Sequence, residues 1–366
     1  MPDRSAWLRL KLTDGLGNRR LNRLIQHYHT PEKALEAKGE WNAHGVPERI
    51  ATAVLSADDP AVSKAQRILE GHDTRIIHRW DKESYPSLLN QIDDPPALLF
   101  VRGSIPQTDM FAVVGARRAS TGGLALTRLI CQDLGRHGIT TVSGLARGID
   151  AAAHHGSLEG DGATVAVLGS GIDRIYPPEH DRLAEQILER GAIITEYPPG
   201  AAPLPGHFPG RNRIISGLCR GLLVVEAAHG SGSLISVDFA LRQGREVFAV
   251  PGSVMCETSG GVNRLLKDGA HVVTEPGDIL DVLWPGCPPV SEREAENKFV
   301  GQLDHNQSIV YKNVDFTPRS IDEVVRLSAL TPMEVSAILL HLELAGRVAQ
   351  HPGGRYARTQ LPAGTP

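Results

Sequence analysis

Short apolar runs that alternate with helix-like segments most constrain the fold of this chain. Seven such runs occur, at residues 111–114, 140–142, 165–168, 192–195, 222–225, 246–250 and 271–273. Helical patterns separate most of them, as at 124–137, 182–190 and 234–243. Near-continuous apolar strands between helices indicate a parallel sheet covered on both faces. The sequence therefore predicts an α/β fold with a Rossmann-like, doubly wound parallel sheet, whose ligands bind beyond the carboxyl ends of the strands.

Two smaller domains are predicted to flank this sheet. Residues 1–80 look helical, and the turn Gly15-Leu16-Gly17 before a helix at Asn18 is typical of a helix-hairpin-helix or SAM-like domain. The amides at the start of that helix are able to hold a phosphate, with Arg19 and Arg20 close by, although a spacer or protein-contact domain fits equally well. The sheet domain is assigned to residues 81–284 and a proline-rich, charged linker to 285–304.

Residues 305–366 have the pattern of a winged helix, with helices at 321–327 and 332–344 and a two-stranded wing that turns at 352–354. The presumed recognition helix contains no Lys or Arg and carries Glu334 and Glu343. Acidic side chains are unfavourable next to the phosphates of a major groove. We therefore expect protein contact or autoregulation from this module, while Arg347, Arg355 and Arg358 keep duplex recognition open.

The charge balance limits where a polyanion can bind. The 366 residues include 38 basic and 42 acidic side chains, for a net charge of −4. A nucleic-acid site must therefore be a local patch.

The four cysteines, Cys131, Cys219, Cys256 and Cys287, are too far apart for a zinc site and are expected to be reduced, mostly buried thiols. No metal or cofactor is expected, and the absence of a signal peptide or membrane span predicts a cytoplasmic protein.

Basic residues are concentrated in one segment, residues 206–220. It contains Arg211, Arg213 and Arg220 with no acidic residue, and Phe208 offers an aromatic face on which a base can stack. This segment immediately precedes the fifth apolar run. A phosphate-bearing ligand is the natural partner for such a segment at the end of a parallel sheet.

Four turns that follow the predicted strands are rich in glycine, serine or arginine. They contain Gly115 and Arg117 after the first strand, Ser143 and Arg147 after the second, Gly169 and Ser170 after the third, and Ser231, Gly232 and Ser233 after the fifth. The last turn opens a helix, whose free amides favour phosphate. Taken singly, each turn also fits an ordinary strand-to-helix connection. A complete Gly-x-Gly-x-x-Gly series and a Walker lysine are both missing, so dinucleotide binding and ATP hydrolysis are not expected.

Together these features predict one site for single-stranded nucleic acid. Its expected members are Gly115, Arg117, Ser143, Arg147, Gly169, Ser170, Phe208, Arg211, Asn212, Arg213, Ser231, Gly232 and Ser233. No catalytic residue is assigned, because neither His154 nor His155 is paired with a recognisable nucleophile, and a packing histidine is the favoured interpretation.

Four motifs, at residues 143–150, 166–177, 207–216 and 243–252, closely resemble the DNA-processing protein A family, also called DprA or Smf. The resemblance covers roughly residues 100–283. It implies a non-enzymatic, homodimeric Rossmann-fold protein that binds single-stranded DNA in natural transformation, protects incoming strands and helps to load the RecA recombinase. It also implies a DNA pocket formed by Arg117, Phe208, Arg211, Asn212, Arg213 and the 231–233 turn. Gly210 departs from the family pattern, where a bulkier or basic residue is common at this position. The lack of such a side chain would weaken one phosphate contact.

Two other functions are considered. One is a nucleotide-processing enzyme of the nucleoside-monophosphate hydrolase type, whose Pro-Gly-Gly-x-Gly-Thr signature is absent; Gly260 and Gly261 lack its setting. The other is a duplex-specific transcription regulator, which depends on the winged helix alone.

Overall fold

A nine-stranded mixed sheet forms the centre of the structure, a computed structural model that describes residues 4–287, 299–301, 303–315 and 318–359. Its strands are Arg75–His78 (β1), Leu98–Gly103 (β2), Met110–Val114 (β3), Thr140–Ser143 (β4), Thr164–Val167 (β5), Ala192–Thr195 (β6), Gly221–Val224 (β7), Glu246–Ala249 (β8) and His271–Val272 (β9). The spatial order is β1-β2-β6-β5-β4-β3-β7-β8-β9. Strands β3 to β9 run parallel, which confirms the predicted Rossmann-like sheet, and all seven lie within one residue of their predicted bounds.

The two remaining strands were not predicted. β1 and β2 are antiparallel to each other, and β2 is antiparallel to β6, so they extend the sheet at one edge. β1 lies inside the stretch predicted to be helical. This strand is half-exposed and has only four residues, which are too few to distinguish the alternation of a strand from the end of a helix. Its place in the sheet is set by pairing with β2, where Ile76 lies opposite Phe100.

Among the described residues, twelve α-helices accompany this sheet. They are Arg4–Leu12 (α1), Asn18–Tyr28 (α2), Pro31–Glu36 (α3), Glu48–Thr52 (α4), Pro60–Gly71 (α5), Thr121–Arg136 (α6), Ile149–Glu159 (α7), Asp181–Arg190 (α8), His207–Gly217 (α9), Gly232–Arg242 (α10), Gly260–Lys267 (α11) and Gly277–Leu283 (α12). Phe111 and Val113 of β3 belong to the core beneath α6, α7 and α12. Ala112 and Val114 belong to the core beneath α9, α10 and α11. Because both faces are covered, the central strands are buried throughout, which explains their unbroken apolar sequence.

The N-terminal helices α1 to α5 pack onto the edge of the sheet. Leu24 and Trp41 lie in one continuous apolar core with Phe100 and Ile193 of the sheet. Helix α2 begins at Asn18, as the sequence predicted, and the Asn18 amide nitrogen donates to the carboxylate of Asp94 at 2.9 Å. Its amide oxygen accepts from the backbone of Ala97 at 2.8 Å. The start of α2, which the sequence offered as a phosphate site, therefore faces an acidic side chain.

The chain divides into two compact units between Gly286 and Cys287. In the second unit the described residues include the helices His305–Asn313 (α13), Ile321–Ser328 (α14) and Pro332–Leu344 (α15) and the strands Arg319–Ser320 (β10), Val348–His351 (β11) and Arg355–Arg358 (β12). β11 and β12 form the predicted wing, and Thr331 and Glu334 close a capping box that starts α15 at its predicted residue. Most of the predicted linker, 288–298 and 302, lies outside the described residues.

The cysteines are only partly buried. Cys131 and Cys219 are in the core, where burial raises the pKa of the Cys131 thiol to about 12. Cys287 is half-buried and Cys256 is exposed, so the expectation of mostly buried thiols is correct for two of the four. Among the described residues no single helix has the length and apolar composition of a membrane span, although α14 and α15 pass that test as a pair bent by 110°.

Candidate functional site

A cavity of about 500 Å³ opens at the carboxyl ends of β3 and β7. These strands are neighbours in the sheet, but the chain continues from β3 towards β4 on one side and returns to β7 on the other. Helix α6 after β3 and helix α10 after β7 consequently cover opposite faces. The turns that lead to them diverge and leave a crevice, which is the general ligand site of doubly wound sheets.

Eight of the thirteen predicted site residues line this cavity: Gly115, Arg117, Phe208, Arg211, Asn212, Ser231, Gly232 and Ser233. They come from the turn after β3, the first turns of α9 and the start of α10. Pro203, Pro205, Ile215 and Ile235 add an apolar wall. The turn after β3, the turn after β7 and the basic segment therefore converge as predicted. The predicted residues of the turns after β4 and β5 do not line the cavity.

Aromatic rings and an arginine form one side of the cavity. The guanidinium carbon of Arg117 lies 5.5 Å from the ring centroid of Phe208, and the Tyr176 ring lies 5.8 Å from it at a 47° tilt. Tyr176 is 41% exposed. Sequence reasoning passed over this tyrosine, although its place between a glycine-rich turn and two prolines was visible. The geometry suits a planar ligand that is partly stacked and partly in contact with a cation.

Gly169 supports the Phe208 ring from below. A Cβ atom at residue 169 would lie only 2.9 Å from Cδ1 of Phe208, so any side chain there would push the ring out of place. Ser170 is buried, and its hydroxyl donates to the backbone oxygen of Arg174 at 2.6 Å. Both residues were predicted to contact phosphate, but the structure places them beneath the cavity as support for its wall.

Arg211 forms the floor of the cavity and is only 5% exposed. Its Nη1 donates to the backbone oxygen of Gly144 at 2.8 Å and to that of Val167, and so links the ends of β4 and β5. Burial lowers the pKa of Arg211 to about 10, while the nearby Asp150 carboxylate acts in the opposite direction. The side chain is therefore charged at neutral pH, but much of its hydrogen bonding is used internally.

The turn after β4 is held by Asp150. This buried carboxylate accepts from the amides of Gly144 and Ala146 at 3.2 and 3.3 Å. Burial raises the pKa of Asp150, and Arg211 opposes that effect. Ser143 is also turned inward, because its hydroxyl donates to the backbone oxygen of Val113 at 2.7 Å. The predicted phosphate contact at Ser143 is thus not available.

Arg147 and Arg213 do not line this cavity. Arg147 is exposed and pairs with Glu179. Arg213 points away from the cavity, where its Nη2 lies 2.8 Å from Glu196 and its Nε donates to the backbone oxygen of Asp94 at 3.0 Å. Residues two apart on a helix point to different sides, so Arg211 and Arg213 diverge once α9 forms. The sequence did not predict that helix and therefore placed both arginines together.

The start of α10 offers hydrogen-bond donors to the cavity. Ser231 caps the helix, accepts from the Ser233 amide at 3.4 Å and lies 2.8 Å from the Ser233 hydroxyl. The backbone amide of Gly232 has no hydrogen-bond partner in the described part of the chain. Such a helix terminus carries a partial positive charge and favours anions.

His154, for which the sequence favours a packing role, is structural. His154 is fully buried, and its Nδ1 lies 2.7 Å from the hydroxyl of Thr164. Burial lowers the pKa of His154 to about 3, so the ring is neutral in the folded protein. This confirms a packing role. In the described residues, no cluster of three His, Cys, Asp or Glu side chains is arranged to hold a metal.

Comparisons with known proteins agree with this architecture. A family model described as DNA recombination-mediator protein A matches residues 75–283, and the model of the DprA winged helix domain matches residues 300–354. Protein Smf of Escherichia coli is 39% identical over 361 residues, which cover 97% of this chain and 96% of that protein. DNA processing protein DprA of Streptococcus pneumoniae is 44% identical over 200 residues, covering 54% of this chain and 71% of that protein.

Two solved structures are similar to the chain. The X-ray structure of DprA from Streptococcus pneumoniae has a TM-score of 0.68 at 35% identity and covers 76% of this chain and 98% of that one. A structure of DNA processing protein A from Helicobacter pylori, described by its single-stranded DNA binding mode, has a TM-score of 0.52 at 25% identity and covers 57% and 95%. The family match over more than half of the residues, together with a relative aligned almost end to end, shows that this chain belongs to the DNA recombination-mediator protein A family.

Proposed function

We propose that the cavity binds single-stranded DNA by taking in one base and an adjoining phosphate. The convergence of Arg117, the Phe208 ring and the open amides of α10 in one crevice carries this proposal. A volume of about 500 Å³ accommodates a nucleotide but not a base pair with both backbones. The Helicobacter pylori structure, described by its binding of single-stranded DNA, supports the same ligand class.

Each part of the cavity has a different role in this proposal. A base stacks against Phe208 and Tyr176, which serves any sequence because every base has an aromatic face. The phosphate accepts from the amides and hydroxyls at residues 231–233, and Arg117 supplies the mobile positive charge. Arg211 acts from the floor, where its charge is fixed by contacts to Gly144 and Val167.

A duplex is a poor ligand for this chain. Stacking in the cavity requires an unpaired base, since a paired base presents only its edge. In the winged helix, the surface of α15 exposes Met333, Leu340 and Leu344 and has no Lys or Arg. We therefore propose a protein contact for this module.

The biological role we propose follows the family: a non-enzymatic mediator of recombination in natural transformation that protects incoming single strands, acts as a homodimer in the cytoplasm and helps to load RecA on DNA. The absence of a catalytic role is supported by His154, which is neutral and packed, and by Glu226, whose carboxylate accepts from Ser120 at 3.1 Å. RecA loading is tested by the rate at which RecA filaments form on strands already covered by a single-strand binding protein. An Arg117→Gln chain should fail to accelerate that step.

The DNA site is tested by titrating labelled oligothymidine with Arg117→Gln at several salt concentrations. Loss of one phosphate contact should weaken binding and reduce the slope of log K against log salt by about 0.7. Arg264→Gln is the matched control, since Arg264 is also exposed but pairs with Asp268 on α11. The proposed site is wrong if Arg117→Gln and Arg264→Gln have the same slope, or if a duplex of equal length binds more tightly than the single strand.

A further inference from the structure

Four turns at the carboxyl edge of the sheet were candidates for phosphate, but most of their donors are already occupied. The turn after β4 is filled by the Asp150 carboxylate. The turn after β5 is covered by the Phe208 ring over Gly169. The remaining two turns lead into α6 and α10, on either side of the crevice between β3 and β7.

The start of α6 is occupied by a carboxylate from the loop after β7. Glu226 accepts from the Ser120 amide at 3.1 Å and from the Ser120 hydroxyl. The Ser120 oxygen in turn accepts from the Gly123 amide at 3.0 Å. A Cβ atom at residue 123 would lie 2.3 Å from Oε1 of Glu226, so the missing side chain of Gly123 leaves the space in which this carboxylate sits.

Glu226 thus takes the place that an anionic ligand would occupy. In a doubly wound sheet that binds a dinucleotide, the pyrophosphate lies at the start of the helix after the first parallel strand, which here is α6. A second negative charge beside Glu226 would be repelled and would find the nearest donors already engaged. In the described chain, no such carboxylate contacts the start of α10. There the Ser231 and Ser233 hydroxyls flank the Gly232 amide.

We propose that Glu226 determines the ligand class of the crevice, because its carboxylate closes the start of α6 and leaves a single phosphate position at α10. This rests on the proposed DNA site and adds a specificity to it. A phosphodiester strand places one phosphate per nucleotide and fits a single position. In ligands with two adjacent phosphates, such as nucleoside diphosphates and dinucleotides, the second phosphate is disfavoured because the Glu226 carboxylate already occupies the start of α6.

The experiment measures pyrophosphate binding to the full chain by calorimetry, for wild type and for Glu226→Gln. Glutamine keeps the size of the side chain and an oxygen for the Ser120 amide, but removes the charge. We expect Glu226→Gln to bind pyrophosphate about tenfold more tightly than wild type. Glu185→Gln is the matched control, since it removes one negative charge from α8, where Glu185 lies 3.2 Å from Arg102. It should behave as wild type.

Oligothymidine binding is measured on the same samples. It should stay within about threefold of wild type in Glu226→Gln, because the α10 position is untouched. The proposal is overturned if both variants bind pyrophosphate alike, or if Glu226→Gln loses DNA binding. A wild-type chain that fails to bind oligothymidine would instead remove the proposed function, whatever pyrophosphate does.

A measurement on the wild-type protein gives a check that needs no variant. At equal ionic strength, pyrophosphate should displace oligothymidine no better than inorganic phosphate does, because only one position accepts a phosphate. If pyrophosphate displaced oligothymidine at a tenth of the concentration that phosphate needs, this would contradict the proposal that Glu226 closes the start of α6.

Discussion

Replacing Phe208 with alanine separates stacking from charge in the proposed site. The ring contacts Arg117 at 5.5 Å and Tyr176 at 5.8 Å and forms part of the cavity wall. Base stacking on an aromatic side chain contributes about 1–3 kcal/mol, which corresponds to a loss of affinity of roughly 5- to 150-fold. Because Arg117 remains in place, the number of neutralised phosphates does not change.

The assay is fluorescence anisotropy of labelled oligothymidine over a series of salt concentrations. Phe208→Ala should lower the binding constant at every concentration and leave the slope of log K against log salt unchanged. Phe208→Tyr, which keeps the ring, should bind close to wild type. Phe239→Ala is the control for loss of a half-buried ring, since Phe239 lies on α10 but lines a neighbouring cavity. It should change affinity by less than about threefold.

Two outcomes would refute this reasoning. If Phe208→Ala binds within twofold of wild type, the ring does not stack on DNA. If the salt slope falls by about 0.7, the substitution has displaced a phosphate contact, and the division of labour between Phe208 and Arg117 is wrong. Urea unfolding of each variant shows whether the fold is intact.

Three further predictions concern support of the site and stability. Gly169→Ala should weaken oligothymidine binding about tenfold with little change in urea midpoint, because its Cβ would lie 2.9 Å from the Phe208 ring; unchanged affinity would show that the ring adapts. Glu196→Gln should lower the free energy of unfolding by about 3 kcal/mol, since it leaves buried Arg213 and Lys11 without their shared carboxylate, whereas the exposed Glu185→Gln should cost less than about 1 kcal/mol in the same urea titration. His154 is protonated below its ordinary pKa of 6.5 in the unfolded chain, but only near a pKa of about 3 in the folded chain. Its contribution to the free energy of unfolding is therefore fully present above pH 6.5 and is lost as the pH falls. Between pH 7 and pH 5 this loss amounts to about 2 kcal/mol, and a His154→Asn variant should show a correspondingly flatter pH profile of unfolding free energy.

The seven parallel strands were readable from the sequence because both faces of the central sheet are covered. Strands buried on both faces must be apolar throughout, and this local property survives in the sequence without knowledge of their neighbours. The same holds for α15 and the wing, where Thr331, Pro332 and the glycines at 353 and 354 mark the boundaries by local rules. β1 and β2 were not predicted, because their position in the sheet depends on pairing at an edge shared with the N-terminal helices.

Which polar groups remain open in the crevice was decided by the tertiary structure. The sequence placed glycine, serine and arginine at the ends of the strands, but a turn cannot bind phosphate when a side chain distant in the chain already occupies its donors. Glu226 reaches Ser120 across 106 positions of sequence, and Arg211 reaches Gly144 across 67. Residue types and strand ends are local properties of the chain, whereas hydrogen-bond partners and the direction of each guanidinium are set only when distant segments pack together.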